Sequence, residues 1–442
     1  MRPRRVLLFA DGAQGIGAGH QVRCAAIAQA LIDAGHEAVL GCRALPHSTH
    51  GWAWKGLAVQ RAAADLRPAA ALAALIGRTQ PDVVLIDHYG VSGPDVRGIA
   101  VPVAMLDDAP ERDLRGACLV VNPSPAAEPS WYPSQPVLLG LRCLPVRAEF
   151  FAPRPATRGD GILLAFGGTD AGGLAARLAP LLAAHGPVRT VAGLSAAELA
   201  AVMDGCRIAV VTASGIAWEC LARGLPLVAV QVAANQAQVA AALGAAGVPV
   251  VTAAEIERVP ALLPSACAPA SLTPTGGGAA CIAEALACLA PAPAPLVAGC
   301  WNDADRLLAI ANQPSVRAVS FRAEPIPRPE HLAWLARTLG DPDHRLWLSD
   351  DGFGTVRLRR DGRSATLSIA IDEAARGQGL GRRLLEGVVV WARDTGWSDY
   401  LDAWVVDGNS ASERLFTGRG FIPAEHRAVD GRPSTRYRLG IP

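Results

Sequence analysis

The chain has 442 residues, more than one ordinary core accommodates, so two or three domains are expected. Hydrophobic residues make up 51% and charged residues 18%, which excludes a disordered chain. The formal net charge of +1 leaves no broad electrostatic footprint for nucleic acid or a membrane surface. The basic residues are arginines, with Lys55 the single lysine. Beside so much Ala, Gly and Pro, this reads as genome composition rather than a functional patch.

The first apolar run, "VLLFA" (6–10), is too short for a signal-peptide core of ~7–15 residues. No uninterrupted apolar stretch approaches the ~20 residues that span a bilayer. A cytoplasmic protein without membrane insertion is expected. The ten cysteines show no C-x-x-C pair and none sits beside a histidine at ligand spacing. Reduced, mostly buried thiols and no metal site follow.

Strand and helix patterns alternate from the start. "VLLFA" precedes a helix at about 20–34, then come "EAVLGC" (37–42), "DVVLID" (82–87), "PVAMLD" (102–107) and "CLVVN" (118–122). Continuous apolar runs between helices predict a parallel sheet covered on both faces. A proline-rich stretch over 122–155 interrupts the pattern. It restarts with "GILLAFGG" (161–168), "VRTVAG" (188–193), "IAVVTASG" (208–215), "PLVAVQ" (226–231) and "VPVVT" (248–252). The expected architecture is α/β, with two Rossmann-like domains whose ligands bind at the carboxyl ends of the strands.

"GIGAGHQVR" (15–23) lies between the first strand and its helix. It is neither a Walker A motif nor G-x-G-x-x-G. Free N–H groups at a helix start favour an anion there, with Gly17 and Gly19 in the turn and His20 and Arg23 in the first helical turns. Taken alone, His20 reads as an ordinary helix-start residue. "AFGGTDAGG" (165–173), with Gly167, Gly168 and Thr169, is a second such turn. "TASGIAWECLARGLPLVAV" (212–230) adds Ser214 and Gly215 at a turn and Glu219 in the following apolar helix. "AANQ" (233–236) supplies Asn235 and Gln236. Together they suit a nucleotide diphosphate: Ser214 and N–H groups for phosphate, Glu219 for a ribose diol, and Asn235 or Gln236 for phosphate or sugar hydroxyls.

"GIGAGHQVRCAAIAQAL", "LIDHYG", "MLDDAPER", "LLAFGGTDAGG", "VTASGIAWECLARGLPLV" and "AANQ" occur in an order that resembles one family. This is the UDP-2,4-diacetamido-2,4,6-trideoxy-β-L-altropyranose hydrolases of pseudaminic acid biosynthesis, GT-B proteins similar to MurG-type glycosyltransferases. The resemblance covers about residues 4–290. It implies that His20 is catalytic, that Tyr89 lies in the sugar site, and that UDP sits against Gly168, Ser214, Glu219, Asn235 and Gln236. Asp87 and His88 flank Tyr89, and either is open as the orienting group. The family's aspartate-glycine turn is absent from "TPTGGGAACIAEAL" (273–286). A glycosyltransferase on the same fold, or the same chemistry in a legionaminic-type pathway, remains an alternative.

"APAPAPLVAG" (290–299) reads as a linker. "HRLWLSD" (344–350), "GTVRLRR" (354–360) and "ATLSIAI" (365–371) then read as an antiparallel meander before a long helix at about 380–395. "ARGQGLGRRLLEGVVVWA" (375–392) places Arg376, Gly377, Gln378, Gly379, Leu380 and Gly381 between strand and helix, where N–H groups wrap a pyrophosphate. With "DGNSASERLFTGRGF" (407–421) this resembles the GCN5-related N-acetyltransferases (GNAT). The earlier stretch 311–336 looks like the branch acting on 4-amino nucleotide sugars. The resemblance implies an acetyl-CoA site over Arg376–Gly381 and Asn409. Phe416 stands where many members have a tyrosine that protonates the thiolate, leaving Ser412 or Tyr400 as substitutes, or a domain that only binds. The expected domains are 1–153, 154–290 and 300–442, with a linker at 291–299. Sugar stereochemistry and oligomeric state are open.

Overall fold

The structure is a computed structural model and describes residues 2–13, 16–108, 111–166, 173–191, 193–289 and 295–442. Two compact units emerge. One is residues 3–127 and 139–286; the other is built mainly from Glu128–Leu138 and Ala287–Pro442.

The larger unit contains two sheets. The first has β1 (Arg5–Phe9), β2 (Glu37–Arg43), β3 (Val59–Ala62), β4 (Val83–Ile86), β5 (Val103–Leu106) and β6 (Leu119–Asn122), in the order β3-β2-β1-β4-β5-β6; the short β7 (Val137–Leu139) falls at the boundary of the two units. The pairs from β3 through β6 are all parallel. Every residue of β4, β5 and β6 is buried, which is why these strands read as unbroken apolar runs. The order reverses between β1 and β4. At such a reversal the loops leaving the two strands diverge and open a crevice at their carboxyl ends. The loop after β1 leads into Gly17–His20, and the loop after β4 is Asp87–Tyr89.

The second sheet has β8 (Gly161–Ala165), β9 (Val188–Thr190), β10 (Cys206–Thr212), β11 (Leu227–Gln231) and β12 (Val250–Thr252) in the order β12-β11-β10-β8-β9, all pairs parallel. Its reversal lies between β8 and β10, so Phe166 and Ala213–Gly215 stand at the second crevice. The helix Gly19–Asp33 buries Cys24, Ala25, Ala26, Ile27, Ala28 and Leu31. Its alanines let it lie close to the sheet. Two strands are missing from the sequence reading: β3 is short with little apolar pattern, and β7 is a three-residue apolar run inside the proline-rich stretch.

The other unit has β13 (Leu296–Ala298), β14 (His344–Ser349), β15 (Gly354–Asp361), β16 (Ser364–Ile371), β17 (Tyr400–Val406), β18 (Ile422–Val429) and β19 (Arg432–Gly440), in the order β13-β14-β15-β16-β17-β19-β18. The expected meander is present as antiparallel β14, β15 and β16. The linker reading needs correction at its end. Leu296–Ala298 is a strand, with Leu296 opposite Ser349, because a buried Leu296 joins this core. Residues 291–294 lie outside the described residues.

The long helix Leu380–Thr395 crosses from β16 to β17 and buries Leu384, Leu385, Val388, Trp391 and Ala392. β16 and β17 are parallel and pair only through Ser364–Tyr400, Ala365–Leu401 and Thr366–Asp402. Beyond those pairs they part, leaving a seam whose β16 and β17 backbone groups do not pair with each other. Among the described residues, no helix is long and apolar enough to cross a membrane.

Candidate functional site

The cleft of the larger unit has a volume of about 680 Å³, the size of a small-ligand site. It is lined by residues from both reversal points, including Gly17, Gly19, His20, Arg23 and Tyr89 from the first sheet and Ser214, Gly215, Glu219, Asn235 and Gln236 from the second. A positive φ at Gly17 turns the chain into the helix that carries His20.

Asp87, 1% exposed at the end of β4, lies with Oδ1 2.6 Å from His20 Nδ1. A carboxylate at that distance places the ring proton on Nδ1 and leaves Nε2 as the basic nitrogen. Arg23 Nη2 is 3.0 Å from the same Nδ1. Both atoms then carry hydrogens, so that approach is a consequence of the shared carboxylate. Burial alone would raise the Asp87 carboxyl; the Arg23 guanidinium and His20 outweigh it and hold it well below the usual carboxylate range.

Asp87 is therefore the group that orients His20. His88, the alternative, turns away: its Nε2 is 3.0 Å from the buried Asp11 and its ring stacks on Phe9. The Tyr89 ring meets His20 edge-on, with centroids 4.9 Å apart.

Arg23, expected to bind substrate, lines the cleft with its guanidinium engaged by carboxylates. Its Nε and Nη2 contact Asp87 at 3.0 and 2.8 Å, and its Nη1 contacts Asp108 at 2.7 Å. It clamps two carboxylates rather than presenting a free cation. Tyr89 Oη donates to the other side of Asp108 at 2.5 Å. Partial burial and that carboxylate push the Tyr89 hydroxyl up, so it stays protonated. Asp108 is one residue that sequence reasoning missed. The signal was its place after β5 in "MLDDAPER". Its neighbour Asp107 instead pairs with Arg112 at 3.0 Å.

In the second sheet, Ser214 precedes the helix Gly215–Ala222 and its hydroxyl is 2.8 Å from Thr212 Oγ1. Glu219 is 5% exposed, and Arg147 Nε and Nη2 reach its Oε1 at 2.8 and 2.7 Å. Burial pushes the Glu219 carboxyl up despite Arg147. Arg147, from the proline-rich crossing, carried no sequence signal. Gln236 accepts from the Val232 N–H at 2.8 Å, which fixes the "AANQ" turn. Gly167, Gly168 and Thr169 lie outside the described residues.

In the C-terminal unit, Gly377 and Gly379 have φ of 75° and 77°, a backbone that side chains disfavour. Arg376 Nε donates to the Ile371 carbonyl at 3.3 Å and Gln378 to the Ala374 carbonyl at 2.9 Å. These bonds fold Arg376–Gly381 into a loop over the start of the long helix, whose first N–H groups have no helical partner. The loop stands at the open end of the β16–β17 seam, an arrangement that fits a diphosphate and its extended chain. Asn409 caps the helix Ser410–Thr417 by accepting from the Ser412 N–H at 3.2 Å.

Phe416 is buried, with its ring 5.2 Å from Phe421. Tyr400 is at the wrong end for the thiolate role left open to it. It pairs with Ser364 at the closed end of the seam, six residues and ~20 Å of strand from Val406.

Residues 310–421 match the acetyltransferase (GNAT) family, so the chain carries a C-terminal acetyltransferase domain, with acetyl-CoA as its co-substrate. Among solved structures, it is similar to a putative acetyltransferase, yncA, from Salmonella typhimurium with acetyl-CoA. That match has 22% identity, covers 33% of this chain and 93% of that one, and has a TM-score of 0.29. A spermidine N-acetyltransferase from Vibrio cholerae, in complex with CoA and spermine, matches at 18% identity over 33% of this chain and 94% of that one, TM-score 0.30. An N-acetyltransferase from Staphylococcus aureus Mu50 matches at 21% identity over 33% and 98%, TM-score 0.30. No curated protein matches the chain.

Proposed function

We propose that the chain is a bifunctional nucleotide-sugar enzyme. Its C-terminal domain (300–442) N-acetylates a 4-amino UDP-sugar. Its two Rossmann-like halves (1–153 and 154–290), in a GT-B arrangement, hydrolyse the resulting UDP-2,4-diacetamido sugar to free sugar and UDP, as in pseudaminic acid biosynthesis. The observation that carries the hydrolase reading is the His20–Asp87 contact of 2.6 Å at the β1/β4 crevice of a cleft also lined by Ser214 and Glu219.

The chemistry follows from that placement. UDP is a good leaving group, so the site needs a positioned water and a base more than a strong acid. His20 Nε2 takes a proton from water as the water oxygen bonds to the anomeric carbon. The bond from that carbon to the diphosphate oxygen breaks, UDP leaves with the electron pair, and the configuration inverts. Asp87 holds the ring and stabilises the imidazolium. The N–H groups before the helix Gly215–Ala222, with Ser214, bind phosphate oxygens, and Glu219 takes the ribose diol.

In the other domain, acetyl-CoA supplies the acetyl group as a thioester. Gly377–Gly381 bind its diphosphate, and the backbone of the parted β16 and β17 aligns its chain.

Hydrolysis in ¹⁸O-water tests the hydrolase reading. The expected products are sugar labelled at the anomeric carbon and unlabelled UDP, formed without an acceptor and lost in His20→Ala. Dependence on an acceptor would favour a MurG-like transferase. One observation favours a second reading of the C-terminal domain: the buried Phe416 has no proton to give, which suits a domain that binds acetyl-CoA without turnover.

A further inference from the structure

Arg357 projects from β15 toward the helix Arg328–Leu339, with its guanidinium 5.5 Å from the Trp334 ring centroid. Its hydrogen bond is to a neutral group, Ser368 Oγ, at 3.4 Å, and no carboxylate acts on it among the described residues. Burial pulls its pKa down, and Arg359 adds to that. Arg357 is half-buried, and a guanidinium partly withdrawn from water without a counter-charge is costly; an anion sharing its site offsets that cost.

The position of Arg357 says what the anion belongs to. Arg357 pairs with Ser368 across β15 and β16, and Trp404 pairs with Arg436 across β17 and β19. Ser368 and Trp404 each lie two residues beyond Thr366–Asp402, the last pair before the seam opens. The two pairs therefore face each other across the seam, on the face opposite the long helix. On the far side, Arg427 and Arg436 flank the Trp404 ring at 4.7 and 5.8 Å. Glu425 contacts both arginines and Asp402 Oδ2 lies 3.9 Å from Arg436 Nη1, while Arg436 Nε is buried without a hydrogen-bond partner among the described residues.

We propose that Arg357, with Ser368 and Trp334, forms an anion subsite beside the acetyl-transfer seam, and that it binds the diphosphate of the amine acceptor. This rests on the reading that the acceptor is a nucleotide sugar, and it assigns the residue that recognises the nucleotide part. The cation of Arg357, which no carboxylate pairs, also disfavours a polyamine acceptor.

The test is steady-state acetyl transfer by the full chain, read by mass spectrometry, to a UDP-4-amino sugar, the same amino sugar without UDP, and spermidine. The UDP-sugar should be preferred. Arg357→Gln should raise its KM by about tenfold or more while leaving the KM for acetyl-CoA and the rate on the free sugar unchanged. Arg357→Lys should recover part of the loss, which a folding defect would not allow.

An unchanged KM in Arg357→Gln, or preference for spermidine, would overturn the subsite even with the UDP-sugar acetylated. If no UDP-sugar is acetylated, the nucleotide-sugar reading fails. The subsite is then judged by glucosamine 6-phosphate against glucosamine: an Arg357-dependent preference for the phosphorylated amine supports it, and equal rates overturn it.

Discussion

His20 Nδ1 and Asp87 Oδ1 approach to 2.6 Å, joining the helix after β1 to the strand end of β4. If His20 is the base, His20→Ala should lower the rate of UDP release by ~10²–10⁴-fold, the usual worth of general base catalysis. Asp87→Asn should also lower kcat, because an amide no longer enforces the Nδ1 proton. Acetyl transfer should be unchanged in both. A His20→Ala enzyme that still releases UDP at the native rate would remove His20 from the chemistry.

Tyr89 and Asp108 should act as a unit. The Tyr89 hydroxyl donates to Asp108, and Asp108 is held by Arg23, which also holds Asp87. Tyr89→Phe and Asp108→Asn should each reduce kcat for hydrolysis, and the double variant should lose less than the product of the two. A double-mutant cycle on kcat/KM measures this; full additivity would separate the two side chains.

Acid stability follows from the same cluster. The folded pKa of Asp87 lies below its unfolded value of about 3.9. Its contribution is therefore present above pH ~4 and lost as pH falls through the folded value. Asp11 and Asp108 act with the same sign. Glu219 is raised, so its contribution is present below its unfolded value and lost as pH rises through the folded one. Thermal melts from pH 2 to 7 should show wild type losing stability on acidification more steeply than Asp87→Asn. Parallel curves would contradict the assigned shift.

The parts of this site that were legible in the sequence are local ones. Apolar runs gave most strands of the two parallel sheets because the central ones are buried on both faces. Glycine turns marked where they end, and Arg376–Gly381 stood out because loop and helix are contiguous. What the sequence hid depends on which strand ends meet. Nothing local distinguishes Asp87 from His88 as partner of His20, since only the β1–β4 adjacency decides it. Arg23 reads as a free cation until two carboxylates from β4 and β5 close on it. Arg147 finds Glu219 across 72 residues. Tyr400 looked available until the register set it at the closed end of the seam.

Phe416 yields the next prediction. Its ring is buried against Phe421, so a tyrosine there places a hydroxyl at the edge of a packed ring. A thiol of pKa ~8.5 leaves without strong acid help, so wild type should turn over slowly, and Phe416→Tyr should speed acetyl transfer by about tenfold. Measured kcat with unchanged acetyl-CoA affinity checks this; no gain would mean that the position does not reach the sulfur.

Glu219→Gln should weaken UDP binding by about tenfold, since an amide replaces a charged acceptor for the ribose diol and leaves Arg147 without its counter-charge. Calorimetric titration with UDP reads the effect, and unchanged affinity would remove Glu219 from the nucleotide site.

The most direct test of the central claim is a single time course. Full-length protein, acetyl-CoA and a UDP-4-amino-4,6-dideoxy-N-acetyl sugar are mixed, and products are followed by mass spectrometry. The account predicts acetyl gain, then free diacetamido sugar and UDP in equal amounts. Acetylated UDP-sugar that accumulates with no release of UDP would contradict it.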